Sequence, residues 1–140
     1  MTEPEPEKPD PEKPELRKQY AFRPSPDGLQ AWDVHRLIEL AAELPTRDVA
    51  LADIREIDEN YWYAPEDPPP TCRSVLGHAE LILRADLRYP VILASDGSVM
   101  DGMHRILKAL MDGRDVIRAV QFATDPEPDF VGRAPAELPY

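Results

Sequence analysis

The chain of 140 residues is long enough for one domain and a tail, and its 27 acidic and 16 basic residues give a net charge of −11. This acidic field disfavours binding to DNA, because nucleic-acid affinity comes mostly from lysine and arginine side chains that neutralise phosphates. One cysteine excludes an intramolecular disulfide, and no apolar run approaches the roughly 18 residues that a membrane span needs. The amino-terminus lacks the basic start and apolar stretch of a secretory signal, so the expected compartment is the cytoplasm.

Residues 1–24 are predicted to form a disordered, acidic, proline-rich tail. Seven of the 17 prolines fall before residue 27, and acidic residues are interspersed with them up to Glu15. Residues 1–15 carry no apolar side chain beyond Met1, so this segment cannot offset the entropy cost of becoming ordered. We expect an extended chain of polyproline character that offers its acidic charge to a possible protein partner.

The domain proper is predicted to span residues 25–124 and to begin with a helix. Ser25-Pro26 offers an amino-terminal cap followed by a proline at the first helical position. Apolar residues then recur at helical spacing over about 29–44, and a proline ends the pattern. We expect a helix with one buried stripe, beside which His35 faces solvent.

A strand and a long loop are predicted after this helix. Apolar residues alternate over about 48–57, which is typical of a strand with an exit turn. An acidic and then aromatic run, 58–63, comes next. The following run, 64–70, contains three consecutive prolines and must be a loop, because prolines supply no backbone donors.

The second half is predicted to begin with a helix and a β-hairpin. Apolar residues at helical spacing over about 75–87 indicate an amphipathic helix, which Thr71 or Ser74 could cap. The apolar run 90–94 is typical of a buried strand, and Asp96-Gly97 after it is a strong hairpin signal.

The last helix has the most regular pattern in the chain. Apolar residues occupy positions i, i+3, i+4, i+7 and i+8 from Met103, and Gly113 suits the position after a helix end. Alternation over 116–122 predicts a closing strand, and residues 125–140 are expected to lie along the surface without regular structure. The order of elements indicates a compact mixed-sheet domain of the α+β class.

A candidate site lies at Asp101-Gly102-Met103-His104-Arg105, where the hairpin is expected to run into this helix. Gly102 would leave the first backbone donors of the helix unobstructed, and these donors would form an anion cradle with the helix dipole and Arg105. Asp101, His104, Arg105 and Lys108 share the face opposite the apolar stripe. This pattern is typical of a nucleotide site, although a polar helix face that begins with a capping Asp also occurs without any function.

This motif and its context resemble the ParB/sulfiredoxin superfamily over residues from about Val49 to Phe122. The residues that carry the resemblance are Tyr89-Pro90-Val91-Ile92-Leu93, Asp96-Gly97 and Asp101-Gly102-Met103-His104-Arg105. They reproduce the family's order of strand, turn, Gly-x-x-Arg motif and helix. The resemblance implies a nucleotide-binding domain of that fold.

Two branches of the superfamily fit the chain poorly. Met103 stands where sulfiredoxins carry their nucleophilic cysteine, and a thioether cannot serve as that nucleophile. Cys72 lies in or after the proline loop, on the wrong element. Partition proteins of the ParB type add a second motif and a helix-turn-helix domain, neither of which is visible, so specific DNA binding is not expected.

The closest match in motif is to the free-serine kinases, whose Asp-Gly-His-His-Arg differs at one residue. That resemblance implies Asp101 as a catalytic carboxylate that either holds Mg²⁺ or handles a proton, and it implies His104 and Arg105 as phosphate contacts. Gly102 and Met103 at the helix start and Lys108 on the shared polar face complete the expected nucleotide-binding residues. These kinases also use a glutamate near the exit of the first strand as a general base. Glu56 and Glu59 both match that region, and Glu59 is preferred because it precedes the aromatic run.

The expected function is transfer of a phosphoryl group from ATP, ADP or CTP, bound with Mg²⁺, to a small-molecule acceptor. The alternatives are a non-catalytic nucleotide-sensing module that regulates a partner, or a nucleotide hydrolase or nuclease. If Glu59 and Asp101 lie apart, the sensing module is favoured over the kinase. A transition-metal site built from Asp101, His104, His78 and Glu80 is not favoured, because the helical His-Glu-x-x-His spacing is absent.

Overall fold

The computed structural model describes residues 19–63 and 69–140. Most of the predicted tail and of the proline-rich loop therefore lie outside the described residues. The elements in chain order are β1 (Tyr20–Ser25), β2 (Gly28–Asp33), α1 (Val34–Ala41), β3 (Arg47–Ala50), α2 (Cys72–Arg84), β4 (Val91–Leu93), β5 (Val99–Asp101), α3 (Met103–Met111), β6 (Val116–Gln121) and β7 (Phe130–Val131). Two 3₁₀ turns, Leu51–Asp53 and Arg55–Asp58, follow β3 and are together called the 3₁₀ segment, and a third spans Pro135–Glu137.

A mixed sheet of four strands, in the order β3-β6-β4-β5, forms the centre of the fold. Strand β6 is antiparallel to β3 and parallel to β4, while β4 and β5 form the antiparallel hairpin predicted at Asp96-Gly97. Helix α3 makes the connection from β5 to β6. A second, antiparallel sheet has the order β1-β2-β7. The predicted α+β class is confirmed.

Both faces of the central sheet are covered, and the side-chain alternation of its strands assigns residues to two cores. Val91 and Leu93 of β4 point to the same side as Ile106 of α3 and belong to one buried cluster. Ile92, between them, belongs to a second cluster with Leu37 of α1. The site motif therefore begins a helix that is anchored to the sheet on its buried side.

The predicted first helix is wrong at its amino-terminal end, where the chain forms the β1–β2 hairpin instead. The turn is Pro26-Asp27-Gly28, a proline-Asp-Gly sequence that favours a turn, and Gly28 adopts a φ of 118°. The helix starts at Val34, where the carboxylate of Asp33 accepts from the N–H of His35 at 2.9 Å. Because β1 is paired along its length with β2, the predicted tail boundary at residue 24 is also wrong.

The predicted strand over 48–57 is shorter than expected. Strand β3 ends at Ala50, and the 3₁₀ segment follows it. Leu51, Ile54 and Ile57 recur every three residues, which matches the three residues per turn of a 3₁₀ helix, and the first two are buried. His35, expected to face solvent, has a buried Nε2 atom without a hydrogen-bond partner among the described residues.

The carboxy-terminal stretch is more ordered than predicted. Strand β7 pairs with β2, and the indole of Trp32 donates to the carbonyl of Pro126 at 2.8 Å. Arg36 forms an ion pair with Asp129 at 2.6 Å. The expectation of an irregular 125–140 segment is therefore wrong at Phe130–Val131, because the edge of β2 offers unpaired backbone groups that this segment satisfies.

Helix α2 does not bury the apolar stripe that its spacing predicts. Val75, Leu76 and Leu83 are 54%, 58% and 62% exposed, and no residue of the helix is fully buried. Helix α2 lies beside α3. Lys108 of α3 reaches across to α2 and donates to the carbonyl of Leu83 at 3.3 Å. Within the described residues, no helix combines the length and apolar character needed to cross a membrane.

Candidate functional site

The predicted site motif occupies the junction between β5 and α3. Gly102 precedes the helix with a φ of 113°, and no side chain caps the helix end. A Cβ added at Gly102 would lie 2.6 Å from Cγ1 of Val91, so β4 itself requires a glycine here. The side chain of Met103 is buried in the core that faces the sheet, so only its backbone remains for the predicted phosphate contact.

Arg105 is engaged by three acceptors of the protein. Its Nη1 donates to the carbonyls of Tyr89 at 3.0 Å and Pro90 at 2.9 Å. Its Nη2 donates to Oδ2 of Asp101 at 2.9 Å, and the two side chains are 17% and 18% exposed. Arg105 therefore holds the start of α3 against the chain that enters β4, and it would have to share these donors with any phosphate.

Asp101 is a largely buried carboxyl whose environment opposes its charge. Burial raises the pKa of Asp101 from its ordinary value of 3.8, while the charge and hydrogen bond of Arg105 lower it without cancelling the rise. Among the described residues there is no group of three or more His, Cys, Asp or Glu side chains that could hold a metal ion. The residues around Asp101 thus do not fit a resident metal centre, and a Mg²⁺ ion here would depend on phosphate oxygens of a nucleotide for its other ligands.

His104 faces a second histidine. Its Nε2 lies 2.9 Å from Nδ1 of His78 on α2, and the ring of Trp62 stacks on both imidazoles with centroid distances of 3.9 Å to His78 and 4.7 Å to His104. Three separate segments supply this cluster, so no sequence spacing could have indicated it. Of the four residues considered for a transition metal, only the two histidines come together, because Asp101 pairs with Arg105 and Glu80 is exposed.

The two candidate glutamates lie in different environments. Glu59, predicted as the general base, has a side chain that is 55% exposed and lies 3.8 Å from Nε of Arg55. Glu56 is only 8% exposed, and its Oε2 accepts from the N–H of Val99 at the start of β5. Its Oε1 is buried without a hydrogen-bond partner among the described residues. The carboxylates of Glu59 and Asp101 belong to separate ion pairs.

A cavity of about 140 Å³ lies between the 3₁₀ segment and α3, and we call it the aromatic cavity. Its lining includes Glu56, Glu59, Asn60, the aromatic run 61–63, Met103 and Leu107. Burial raises the pKa of Tyr61 far above its ordinary value, and the negative charges of Asp101 and Glu56 raise it further. Tyr63 is fixed in the wall by its hydroxyl, which lies 2.8 Å from Oγ of Ser74. The aromatic run that follows Glu59 in the sequence therefore lines a cavity.

No family model, curated protein or solved structure matches the chain. The chemical capacity of the site therefore follows from its own residues: an uncapped helix start, a pair of histidines under a tryptophan, a buried Asp–Arg pair and an acidic, aromatic cavity. The first two can receive an anion, whereas the cavity favours a cation.

Proposed function

We propose that the chain is a nucleotide-binding domain of the ParB/sulfiredoxin type, in which phosphate groups bind at the first turn of α3. The observation that carries the proposal is the junction at Gly102, where a nine-residue helix begins directly after a strand with no capping side chain. Backbone N–H groups at such a helix start attract anions together with the helix dipole. His104 in the same turn adds an imidazole, whose Nε2 lies 2.9 Å from Nδ1 of His78.

In this proposal Arg105 is a positioning residue. Its bonds to the carbonyls of Tyr89 and Pro90 keep the helix start at a constant distance from β4, and its pair with Asp101 fixes the last residue of β5. Because three protein acceptors already engage the guanidinium, the proposal assigns the phosphate contacts to the first-turn amides and to His104. Lys108, one turn further along, reaches toward α2 rather than toward the helix start.

The activity that we propose is phosphoryl transfer from the bound nucleotide, with Mg²⁺, to a small molecule. Transfer of this kind requires positioning and charge neutralisation more than covalent chemistry by the protein. The second candidate is a nucleotide-sensing module without catalysis. It is favoured by the separate ion pairs of Glu59 and Asp101, which leave the predicted general base and the predicted metal ligand each with its own arginine.

Calorimetric titration of the full chain with ATP, ADP and CTP, with and without Mg²⁺, tests the binding proposal. We expect at least one nucleotide to bind, and we expect His104→Ala to weaken it by roughly tenfold or more, the loss typical of a hydrogen bond to a charged group. Arg114→Ala is the matched control, because it removes a cation beyond the opposite end of α3 and should leave the affinity unchanged. Absence of binding by the unmodified chain, or equal affinity in both variants, would contradict the proposal.

Phosphorus NMR distinguishes the two candidate activities once a nucleotide is known to bind. The bound nucleotide is incubated with Mg²⁺ and a mixture of small hydroxyl- and amine-bearing compounds. A new phosphoester or phosphoramidate signal together with a nucleotide shortened by one phosphate indicates transfer, whereas the shortened nucleotide together with inorganic phosphate and no new ester or amide signal indicates hydrolysis. Binding without any change in the nucleotide signals indicates the sensing module.

A further inference from the structure

We propose that the aromatic cavity binds a small organic ammonium ion. This inference concerns the space between the 3₁₀ segment and α3, not the anion site at the first turn of the helix, and it does not require a nucleotide. Three observations carry it: the size of the cavity, a buried carboxylate oxygen without a partner, and three consecutive aromatic residues in the lining.

The volume suits a compact ligand of a few heavy atoms. The cavity measures about 140 Å³, and cavities of roughly 150 Å³ in protein cores accept molecules of the size of benzene. Met103 and Leu107 of α3 and Ile57 of the 3₁₀ segment supply apolar surface to the lining. A ligand with methyl or methylene groups would therefore fit this surface better than a fully hydrated ion.

Glu56 supplies the negative charge that such a ligand needs. It is more than nine-tenths buried, and its Oε2 is used by the N–H of Val99 while its Oε1 has no hydrogen-bond partner among the described residues. The neighbouring arginines do not compensate it, because Arg55 pairs with Glu59 and Arg105 pairs with Asp101. A buried carboxylate without a counter-charge is costly, and the positive charge of an ammonium group in the adjoining cavity would reduce that cost.

The aromatic residues select an organic cation over a metal ion. Tyr61, Trp62 and Tyr63 all line the cavity, and the faces of such rings attract ammonium groups. The raised pKa of Tyr61 agrees with a negative potential at this wall, since Asp101 and Glu56 contribute to it. Ca²⁺ requires six to eight oxygen ligands and Mg²⁺ a near-octahedral shell, whereas this lining offers two carboxylates and an Asn60 amide that already accepts from the N–H of Tyr63.

The test compares choline with 3,3-dimethylbutan-1-ol, which has nearly the same shape and no charge. Both are titrated by calorimetry into the full chain without nucleotide, so the result is independent of the nucleotide proposal. We expect choline to bind at least tenfold more tightly than the alcohol. Equal affinity for the two compounds, or no binding of choline at millimolar concentration, would overturn the inference.

Glu56→Gln is the decisive variant, because the amide oxygen can still accept from the N–H of Val99 while the charge is lost. We expect it to weaken choline binding at least tenfold, whereas Glu39→Gln, on the exposed side of α1, should leave it unchanged. Trp62→Leu provides a second route if Glu56→Gln fails to fold, and it should also weaken choline binding. Unchanged affinity in a folded Glu56→Gln or Trp62→Leu variant, or displacement of choline by Mg²⁺ or Ca²⁺ at equal concentration, would refute the organic-cation site.

Discussion

Replacement of Arg105 by alanine should destabilise the fold, not only reduce ligand affinity. From the sequence alone this arginine lies off the apolar stripe, so its loss would leave folding nearly intact. In the structure it donates to the carbonyls of Tyr89 and Pro90 and to the carboxylate of Asp101. Its removal leaves those acceptors without this donor and leaves Asp101, 18% exposed, without its counter-charge.

The size of the effect follows from the burial of the pair. Removal of one partner from a buried ion pair costs about 3–5 kcal/mol, and the residual exposure of this pair favours the lower end, about 3 kcal/mol. A loss of that size lowers the melting temperature of a domain of this length by roughly 10 °C. Arg114→Ala, at an exposed position after α3, should change stability by less than about 0.5 kcal/mol.

Urea denaturation followed by circular dichroism measures these changes, and a double-mutant cycle assigns them to the pair. Asp101→Asn removes the charge that Arg105 neutralises, so the double variant Asp101→Asn/Arg105→Ala should lose less stability than the sum of the single variants. Additive losses would show that the ion pair contributes nothing. An Arg105→Ala variant as stable as the unmodified chain would refute the assignment of Arg105 as a positioning residue.

The same variant should respond to pH in a defined direction. The pKa of Asp101 is raised by burial above its ordinary 3.8, and loss of Arg105 removes the influence that lowers it. A native pKa above the unfolded value means that the native state binds more protons, so stability increases as pH falls through the native pKa toward 3.8. The destabilisation caused by Arg105→Ala should therefore be smaller in mildly acidic solution than at neutral pH.

Two further predictions concern Asp125 and Gly102. Burial raises the pKa of Asp125, but hydrogen bonds from Ser95 and Arg23 outweigh burial and hold the pKa below its ordinary 3.8. The ionised Asp125 therefore stabilises the fold above pH 3.8, and this stabilisation is lost as the pH falls through the pKa of the native state. Asp125→Asn should make the stability less dependent on pH in thermal melts at acidic pH, and an unchanged acid limb would contradict this. Gly102→Ala should cost about 1–3 kcal/mol, because of its positive φ and the 2.6 Å approach to Val91. Gly77→Ala, in open space on α2, should instead be neutral or stabilising by urea denaturation, and equal losses in both would refute the reasoning.

Local patterns were sufficient for the part of the fold that carries the site motif. Helix α3 begins at Met103 as its periodicity predicts, and the hairpin at Asp96-Gly97 forms as its turn sequence predicts. The helix and the hairpin turn depend on interactions between residues a few positions apart, so the local sequence pattern is enough to predict them. The turn at Asp27-Gly28 had the same signal, but the preceding Ser25-Pro26 also suits a helix start, and only the pairing of β1 with β2 decided between them.

The tertiary structure decided which side chains are buried and which groups they contact. Helical spacing predicts a buried stripe for α2, yet Leu76 is 58% exposed, because α2 packs against α3 and the aromatic run with another of its faces. The sequence offered Glu56 and Glu59 as candidates and favoured Glu59, whereas folding buried Glu56 against β5 and left Glu59 more than half exposed. The motif singled out Arg105, but its partners are the backbone carbonyls of Tyr89 and Pro90, 16 and 15 residues away. No side-chain pattern can indicate a backbone acceptor that folding brings close.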